Sequence, residues 1–233
     1  MRPTISPPTS ETELQERARA LAGLRLEQVA ARLGRAVPPD LRRNKGWVGQ
    51  LIEGFLGAQA GSLSEPDFTT IQVELKTIPV GNNGSPREST YVCTVPLARG
   101  QRTPWVNSAV WRKLRRVLWV PVESDPSVPL AQRRVGTAVL WSPNSEQERA
   151  LEQDWEELMD MVSYGELEQI TARHGQFLQI RPKAANARAL TSGVGKHGQP
   201  IATLPRGFYL RTCFTAAVLR AAYALPAATI RAR

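Results

Sequence analysis

The sequence predicts a mixed α/β domain, with helices first, a sheet in the middle and basic loops late. Three observations point to it: helical periodicity before Ala60, strand-like alternation and a continuous apolar run between Thr70 and Val122, and a basic, loop-rich stretch after Gln169. Pro3 to Thr9 is a Pro/Ser/Thr leader expected to be flexible. Ser10 and Glu13 form a capping-box pattern that opens a helix ending near Gly23. Leu26 to Leu33 reads as a second helix closed by Gly34, and Pro38 and Pro39 break the chain before a third. That third helix, Gly46 to Ala60, places Val48, Leu51, Ile52, Phe55 and Leu56 on one stripe. Thr70 to Ile78 alternates apolar Ile71, Val73 and Leu75 with Gln72, Glu74 and Lys76, the pattern of a half-buried strand. Gly81 to Gly84 is a turn, and Ser89 to Val95 is expected to pair back as a hairpin. Leu114 to Val122, with its Val117-Leu118-Trp119-Val120 run, fits a central strand. Ser145 and Glu148 cap an acidic helix running to Tyr164. Phe177 to Ile180 and Phe208 to Leu210 are further strands, and a helix from Thr215 to Ala224 stops at Pro226. No internal repeat is visible.

The chain has 233 residues, 42% of them hydrophobic, which is enough to bury a core. No apolar stretch approaches a membrane span, and Met1 to Glu16 holds no apolar run that could serve as a signal peptide, so no membrane partner is expected. Cys93 and Cys213 match no metal-ligand spacing and read as reduced thiols of a cytoplasmic protein. The net charge is +9 and unevenly spread. Ser89 to Val122 and Gln169 to Arg233 contain no acidic residue, whereas the acids collect between Glu146 and Glu168. A surface of Lys and Arg without carboxylates suits a polyanion, because each cation near a phosphate releases a condensed counterion. A plain solvated surface or anionic lipid would fit the charge alone.

The chemistry centres on Asp67 and on Glu74-Leu75-Lys76. Positions two apart on a strand face the same way, so Glu74 and Lys76 share a face while Val73 and Leu75 pack inward. Asp67, just before the strand, can fold back toward them, and Glu53 on the preceding helix can bring a further carboxylate. Such hard oxygen donors suit Mg²⁺, which keeps several waters and a substrate phosphate as its other ligands. A lysine beside an attacking water can orient it and stabilise developing negative charge. Crowded carboxylates repel one another, so the cluster implies a cation. On spacing alone, an exposed strand face with an ordinary Glu and Lys remains open.

The pattern Asp67…Glu74-Leu75-Lys76 resembles that of the PD-(D/E)xK nucleases, and from Glu11 to Leu219 the chain is similar to the MutH family. The matching stretches include Asn44-Lys45-Gly46-Trp47, Val73 to Pro79, Lys113 to Trp119, Asp154 to Met161, Thr171 to Gly175, Arg181 to Asn186 and Leu204 to Leu210. The resemblance implies a restriction-endonuclease-like fold, with a mixed central sheet flanked by helices and a clamp of two arms around a DNA cleft. It implies a monomeric nuclease domain from residue 11 to 225, with a leader before it and a tail from 226 to 233. The activity implied is Mg²⁺-dependent nicking of the unmethylated strand at hemimethylated GATC sites in double-stranded DNA. The implied setting is methyl-directed mismatch repair, with MutL as activator and MutS acting through it. Asp67, Glu74 and Lys76 then form the catalytic set, Asp67, Glu74 and Glu53 the metal ligands, and Lys113 a further basic residue beside them. Lys45 and Tyr91 match DNA-contacting positions, Arg181, Pro182 and Lys183 the loop that reads the site, and Tyr209 an aromatic near the target adenine. Tyr91 stands where the family has Phe, and the chain after Leu219 diverges.

Arg and Lys pair well with guanine O6 and N7, and Pro182 stiffens the link between Arg181 and Lys183. Contact with phosphates alone would carry no sequence information. An N6-methyl group adds bulk that a packed contact can reject, and Tyr209 is the residue expected to make it; a core tyrosine is the plainer alternative. His174 and His197 have no metal-spaced partner, and Trp105, Trp111, Trp119, Trp141 and Trp155 read as packing. The acidic helix reads as a solvated face, or as a MutL surface. Two other functions stay open: a stand-alone GATC restriction endonuclease, and a non-catalytic DNA-binding protein with structural carboxylates.

Overall fold

The Ser10 hydroxyl accepts a hydrogen bond from the Glu13 N–H at 3.2 Å and caps α1 (Glu11–Leu21), as the sequence predicts. A computed structural model describes residues 5–42, 44–59, 65–98, 103–184, 186 and 188–224. Ala60, where the sequence reading ended the third helix, the start of the leader, Ala185 of the matching stretch Arg181 to Asn186, and the 226–233 tail lie outside them. Helices α2 (Leu26–Arg32) and α3 (Trp47–Leu56) follow, and their buried stripes (Leu26, Val29, Ala30; Leu51, Ile52, Leu56) meet Leu14, Ala18 and Leu21 of α1.

These helices cover one face of a small mixed sheet. In it β1 (Glu74–Val80) runs parallel to β3 (Val117–Glu123), and β4 (Val139–Trp141) pairs antiparallel on the other side of β3. Strand β3 is buried from Val117 to Val122 because it is covered twice. Leu118, Val120 and Val122 face the N-terminal helices, while Val117 and Trp119 face a second core built on the later half of the chain. This double burial is the reason for the continuous apolar run.

The second core holds α4 (Ala109–Leu114), α5 (Ser145–Ser163), α6 (Thr212–Ala222) and an antiparallel sheet ordered β2-β8-β5. That sheet comprises β2 (Thr90–Thr94), β5 (Leu178–Pro182) and β8 (Arg206–Leu210). A hairpin of β6 (Thr191–Val194) and β7 (Pro200–Thr203) stands apart from both sheets. Among the described residues the strands therefore form three small sheets, of which the one carrying Glu74 is mixed. Among the described residues no helix is long and apolar enough to cross a membrane.

Several elements differ from the sequence reading. The first strand starts at Glu74 rather than Thr70, because residues 69–72 make a turn in which Gln72 has φ of 55° and its amide donates to the Thr69 carbonyl at 2.6 Å. The hairpin between β1 and β2 opens with Val80 bridging Pro86 and then stops. Pro79 and Pro86 have no N–H to donate to a continuing ladder, and β2 pairs with β8 instead. The acidic helix is capped one residue early, by Asn144 and Gln147 in a reciprocal box. The last helix begins at Thr212. Strands β4, β6 and β7 had no reading, being only three or four residues long, with β6 and β7 also rich in Gly, Ser, Thr or Ala.

Candidate active site

A tight reversal places Asp67 beside β1. The Phe68 N–H donates to the Val73 carbonyl at 2.9 Å, and the Val73 N–H returns a bond to Phe68 at 3.3 Å. Asp67 Oδ2 then accepts the Leu75 N–H at 2.8 Å. Val73 and Leu75 are buried among the N-terminal helices, so the alternation turns Glu74 and Lys76 to the opposite face.

Glu74 is 2% exposed and accepts two lysines. Lys76 Nζ donates to Oε1 at 2.5 Å, and Lys113 Nζ, from the last turn of α4, donates to Oε2 at 2.8 Å. Lys113 Nζ also donates to the Glu65 carbonyl at 2.5 Å. Such a buried charge triad stands only because every charge is partnered. Lys113, separated from Glu74 by 39 positions, is brought in by the fold alone.

The charges act on each other strongly. Burial pushes the Asp67 carboxyl up to about 6, and repulsion from Glu74 adds to it, against the Leu75 hydrogen bond and the two lysines. Burial raises Glu53 as well, with Lys76 pulling it down and Glu74 pushing it up. For Lys76, burial works toward a lower pKa, but Glu74 and Asp67 outweigh it and hold the ammonium above its ordinary range. Cys93 is a free thiol pushed up to about 12 by burial, and it feels Lys76, Lys113 and Glu74. Its place beside the lysines had no signal in the sequence.

Glu53, Lys76, Tyr91 and Tyr209 line one cleft of about 420 Å³, together with Gly46, Gly49, Thr77, Glu88, Ser89 and Thr90. Tyr91 and Tyr209 face each other across β2 and β8, with ring centroids 5.4 Å apart in an edge-on contact. A Cβ at Gly207 would stand 2.8 Å from Tyr91 Cε2 and 3.1 Å from Tyr209 Cε2, so only glycine leaves room for both rings. On the neighbouring strand Gln179 pairs with Tyr209 and Arg181 with Gly207, which puts Arg181 on the tyrosine face. Arg181 donates to Ser89 Oγ at 2.9 Å, and Lys183 Nζ lies 2.9 Å from the centroid of the Tyr91 ring. Arg181, Pro182 and Lys183 are exposed. Lys45 is exposed and precedes Gly46, which lines the cleft and enters α3 with φ of 86°. Gly207, Ser89 and Glu88 went unmarked in the sequence reading, because their importance comes from cross-strand neighbours.

Asp67, Glu74 and Lys113 sit behind this cleft wall, and Lys76 reaches both the cleft and Glu74. Among the described residues no three His, Cys, Asp or Glu side chains close on one point as a ready metal cage. Mg²⁺ asks for less: one or two carboxylates, with water and phosphate completing the shell. Two adjacent buried carboxylates, one raised to about 6, fit that demand as a donor set. The Asp67 shift has a stability consequence. Its folded pKa of about 6 exceeds the ordinary 3.8, so the folded form holds the proton more tightly. Stability from this group is therefore full below about pH 4 and lost as pH rises toward 6. Asp67→Asn, which keeps an acceptor for Leu75, is expected to raise the stability of the EDTA-treated protein at pH 7.5 by about 2 kcal/mol. Urea unfolding at pH 4 and 7.5 checks it; a variant no more stable than wild type at pH 7.5 contradicts it.

His174 Nδ1 accepts the Thr171 N–H at 3.0 Å, a local turn contact. Trp105, Trp119 and Trp155 are buried and stack with one another or with Trp141, in keeping with a packing role. The acidic helix is not wholly a solvated face: Asp154 is 4% exposed and Trp155 is in the core.

Comparison with known proteins identifies the family. Residues 56–154 match the family described as DNA mismatch repair enzyme MutH. The DNA mismatch repair protein MutH of Yersinia enterocolitica is 56% identical over 214 residues, covering 92% of this chain and 94% of that protein. MutH of Escherichia coli K12 is 56% identical over 218 residues, covering 94% of this chain and 95% of that protein. Identity of this extent over nearly the whole length means that the chain belongs to the MutH family of DNA mismatch repair enzymes.

Proposed function

We propose that this MutH-family protein is a Mg²⁺-dependent DNA endonuclease. It nicks the unmethylated strand at hemimethylated GATC sites in methyl-directed mismatch repair, activated by MutL after MutS has found a mismatch. The observation that carries the proposal is the position of Lys76. One ammonium links the buried Glu74 carboxylate to a cleft whose opposite wall is Tyr91 and Tyr209. Chemistry on one side and an aromatic, basic reading surface on the other suit hydrolysis of a phosphodiester at a chosen sequence.

Asp67 and Glu74, with Glu53 from α3 on the β1 side of the cleft, would hold Mg²⁺, which when bound polarises a phosphoryl oxygen and lowers the pKa of water. Leu75 N–H orients Asp67, and Lys113 orients Glu74 from behind. Lys76 offers positive charge to the attacking water and to the charge that builds on the phosphate. Arg181 and Lys183 reach guanine O6 and N7, Pro182 limits their motion, and Tyr209 packs against the adenine amino group. Lys45 and Tyr91 hold the backbone beside the site. The duplex lies between two arms of one nuclease domain, residues 11–225, working as a cytoplasmic monomer.

The test uses circular DNA with hemimethylated GATC sites, in Mg²⁺ and in EDTA, with and without MutL. Nicks confined to the unmethylated strand, dependent on Mg²⁺ and stimulated by MutL, are expected. Rapid linearisation without MutL would instead identify a stand-alone restriction enzyme, and binding without cleavage a non-catalytic DNA-binding protein.

A further inference from the structure

Two of the stretches that carry the family resemblance have no part in the chemistry above: Asp154 to Met161 on the acidic helix, and Thr171 to Gly175 before β5. The fold brings them together. The Asp154 carboxylate is buried and accepts three successive backbone N–H groups, from Gln176 at 2.6 Å on Oδ1 and from Phe177 at 2.6 Å and Leu178 at 2.7 Å on Oδ2. Glu157, one turn along the same face of α5, accepts the Gly175 N–H at 3.2 Å. Gly175 has φ of +72°, and a Cβ there would lie 2.0 Å from the Leu178 carbonyl oxygen, so the turn is wound too tightly for any other residue.

The opposite side of this turn is gripped from β8. Arg211, next after Leu210, donates Nη2 to the carbonyls of Ala172 at 2.6 Å, His174 at 3.0 Å and Gly175 at 3.0 Å. Its own N–H donates to the Phe177 carbonyl at 2.8 Å. The turn is thus held through its amides by a carboxylate and through its carbonyls by a guanidinium. Immediately beyond it, Leu178 pairs with Leu210, Gln179 with Tyr209 and Arg181 with Gly207.

We propose that Asp154 and Arg211 are positioning residues that lock the register of β5 against β8, and thereby set the sequence specificity of the enzyme. Side chains alternate along a strand, so a slip of one residue would turn Arg181 toward Phe208 and Leu210 and bring Ile180 to the tyrosine face. The lock is placed where such a slip would have to begin. Three charge-assisted bonds to one carboxylate hold Gln176 and Phe177, which lead into β5, and Leu178, its first residue, against shifting. The inference rests on the reading that Arg181 and Tyr209 recognise the DNA site.

The experiment compares nicking of GATC with nicking of sites altered at one base pair, for Asp154→Asn, Arg211→Lys and Arg181→Ala. The ratio of the two rates does not depend on how much of the protein is active, so a merely structural loss leaves it unmoved. Asp154→Asn and Arg211→Lys are expected to lower the ratio by about tenfold or more, in the direction of Arg181→Ala. A wild-type ratio in both folded variants, with a lowered ratio in Arg181→Ala, overturns the register lock. A wild-type ratio in Arg181→Ala overturns the assignment of base reading instead. Should Asp154→Asn not fold, Arg211→Lys, which keeps the charge and loses the planar fork, decides the matter alone.

Discussion

Glu74→Ala is expected to abolish nicking and to lower stability in the same stroke. The Glu74 carboxylate touches both lysines: Lys76 lies 2.5 Å from one oxygen and Lys113 2.8 Å from the other. Removing it leaves two ammonium groups facing each other in a buried site, a change that costs about 3–5 kcal/mol when one partner of a buried pair is deleted. Lys76→Ala separates chemistry from folding. Glu74 keeps Lys113, so the site remains paired and the protein should fold. Its nicking rate is expected to fall by about 10²–10³-fold, the usual loss when a group that stabilises transition-state charge is removed. DNA affinity should stay within about threefold, because phosphate contacts elsewhere dominate it. Single-turnover nicking and a binding titration on the same duplex check both statements. A Lys76→Ala enzyme with wild-type nicking would remove Lys76 from catalysis.

The second large effect is expected at Tyr209. Its ring lies over Gly207 and against Tyr91, on the open face of the β2-β8-β5 sheet. Burial raises its hydroxyl pKa, with Tyr91 adding and Arg181 opposing, so the phenol stays neutral near pH 7 and acts by shape and hydrogen bonding. Tyr209→Ser takes away the ring and loses an edge contact worth about 0.5–1.5 kcal/mol, which the fold tolerates. With the ring goes the surface that would collide with an N6-methyl group. The preference for unmethylated over methylated strands is expected to fall by about tenfold or more, the range over which a pocket senses one carbon. Cleavage of unmethylated, hemimethylated and fully methylated GATC duplexes measures it. An unchanged preference would assign methyl sensing elsewhere.

How much of this was legible beforehand depends on the distance over which each feature is encoded. The Ser10 cap, the stripe of Leu51, Ile52 and Leu56, and the apolar run of β3 follow from spacing within one or two turns, and the structure has them in place. The shared face of Glu74 and Lys76 is likewise local, a consequence of strand alternation. The pairing of β2 with β8 was not legible, because no local pattern says where a strand leaving Pro86 will find its partner. Asp154 was misread as one more solvated acid for the same reason: the amides that claim it lie more than twenty positions away.

Sequence alone therefore determined helices α1, α2, α3, α5 and α6 but not α4, together with the central strand, the face on which Glu74 meets Lys76, and the kinship of the chain. Each of these is written in neighbouring residues or in long runs of identity. Tertiary structure decided that Lys113 reaches Glu74, that Gly207 makes room for two tyrosines, and that Asp154 and Arg211 hold the strand bearing Arg181. Those contacts join parts of the chain that only packing brings within hydrogen-bonding reach, and a buried charge or a close ring contact has no meaning until its partner arrives.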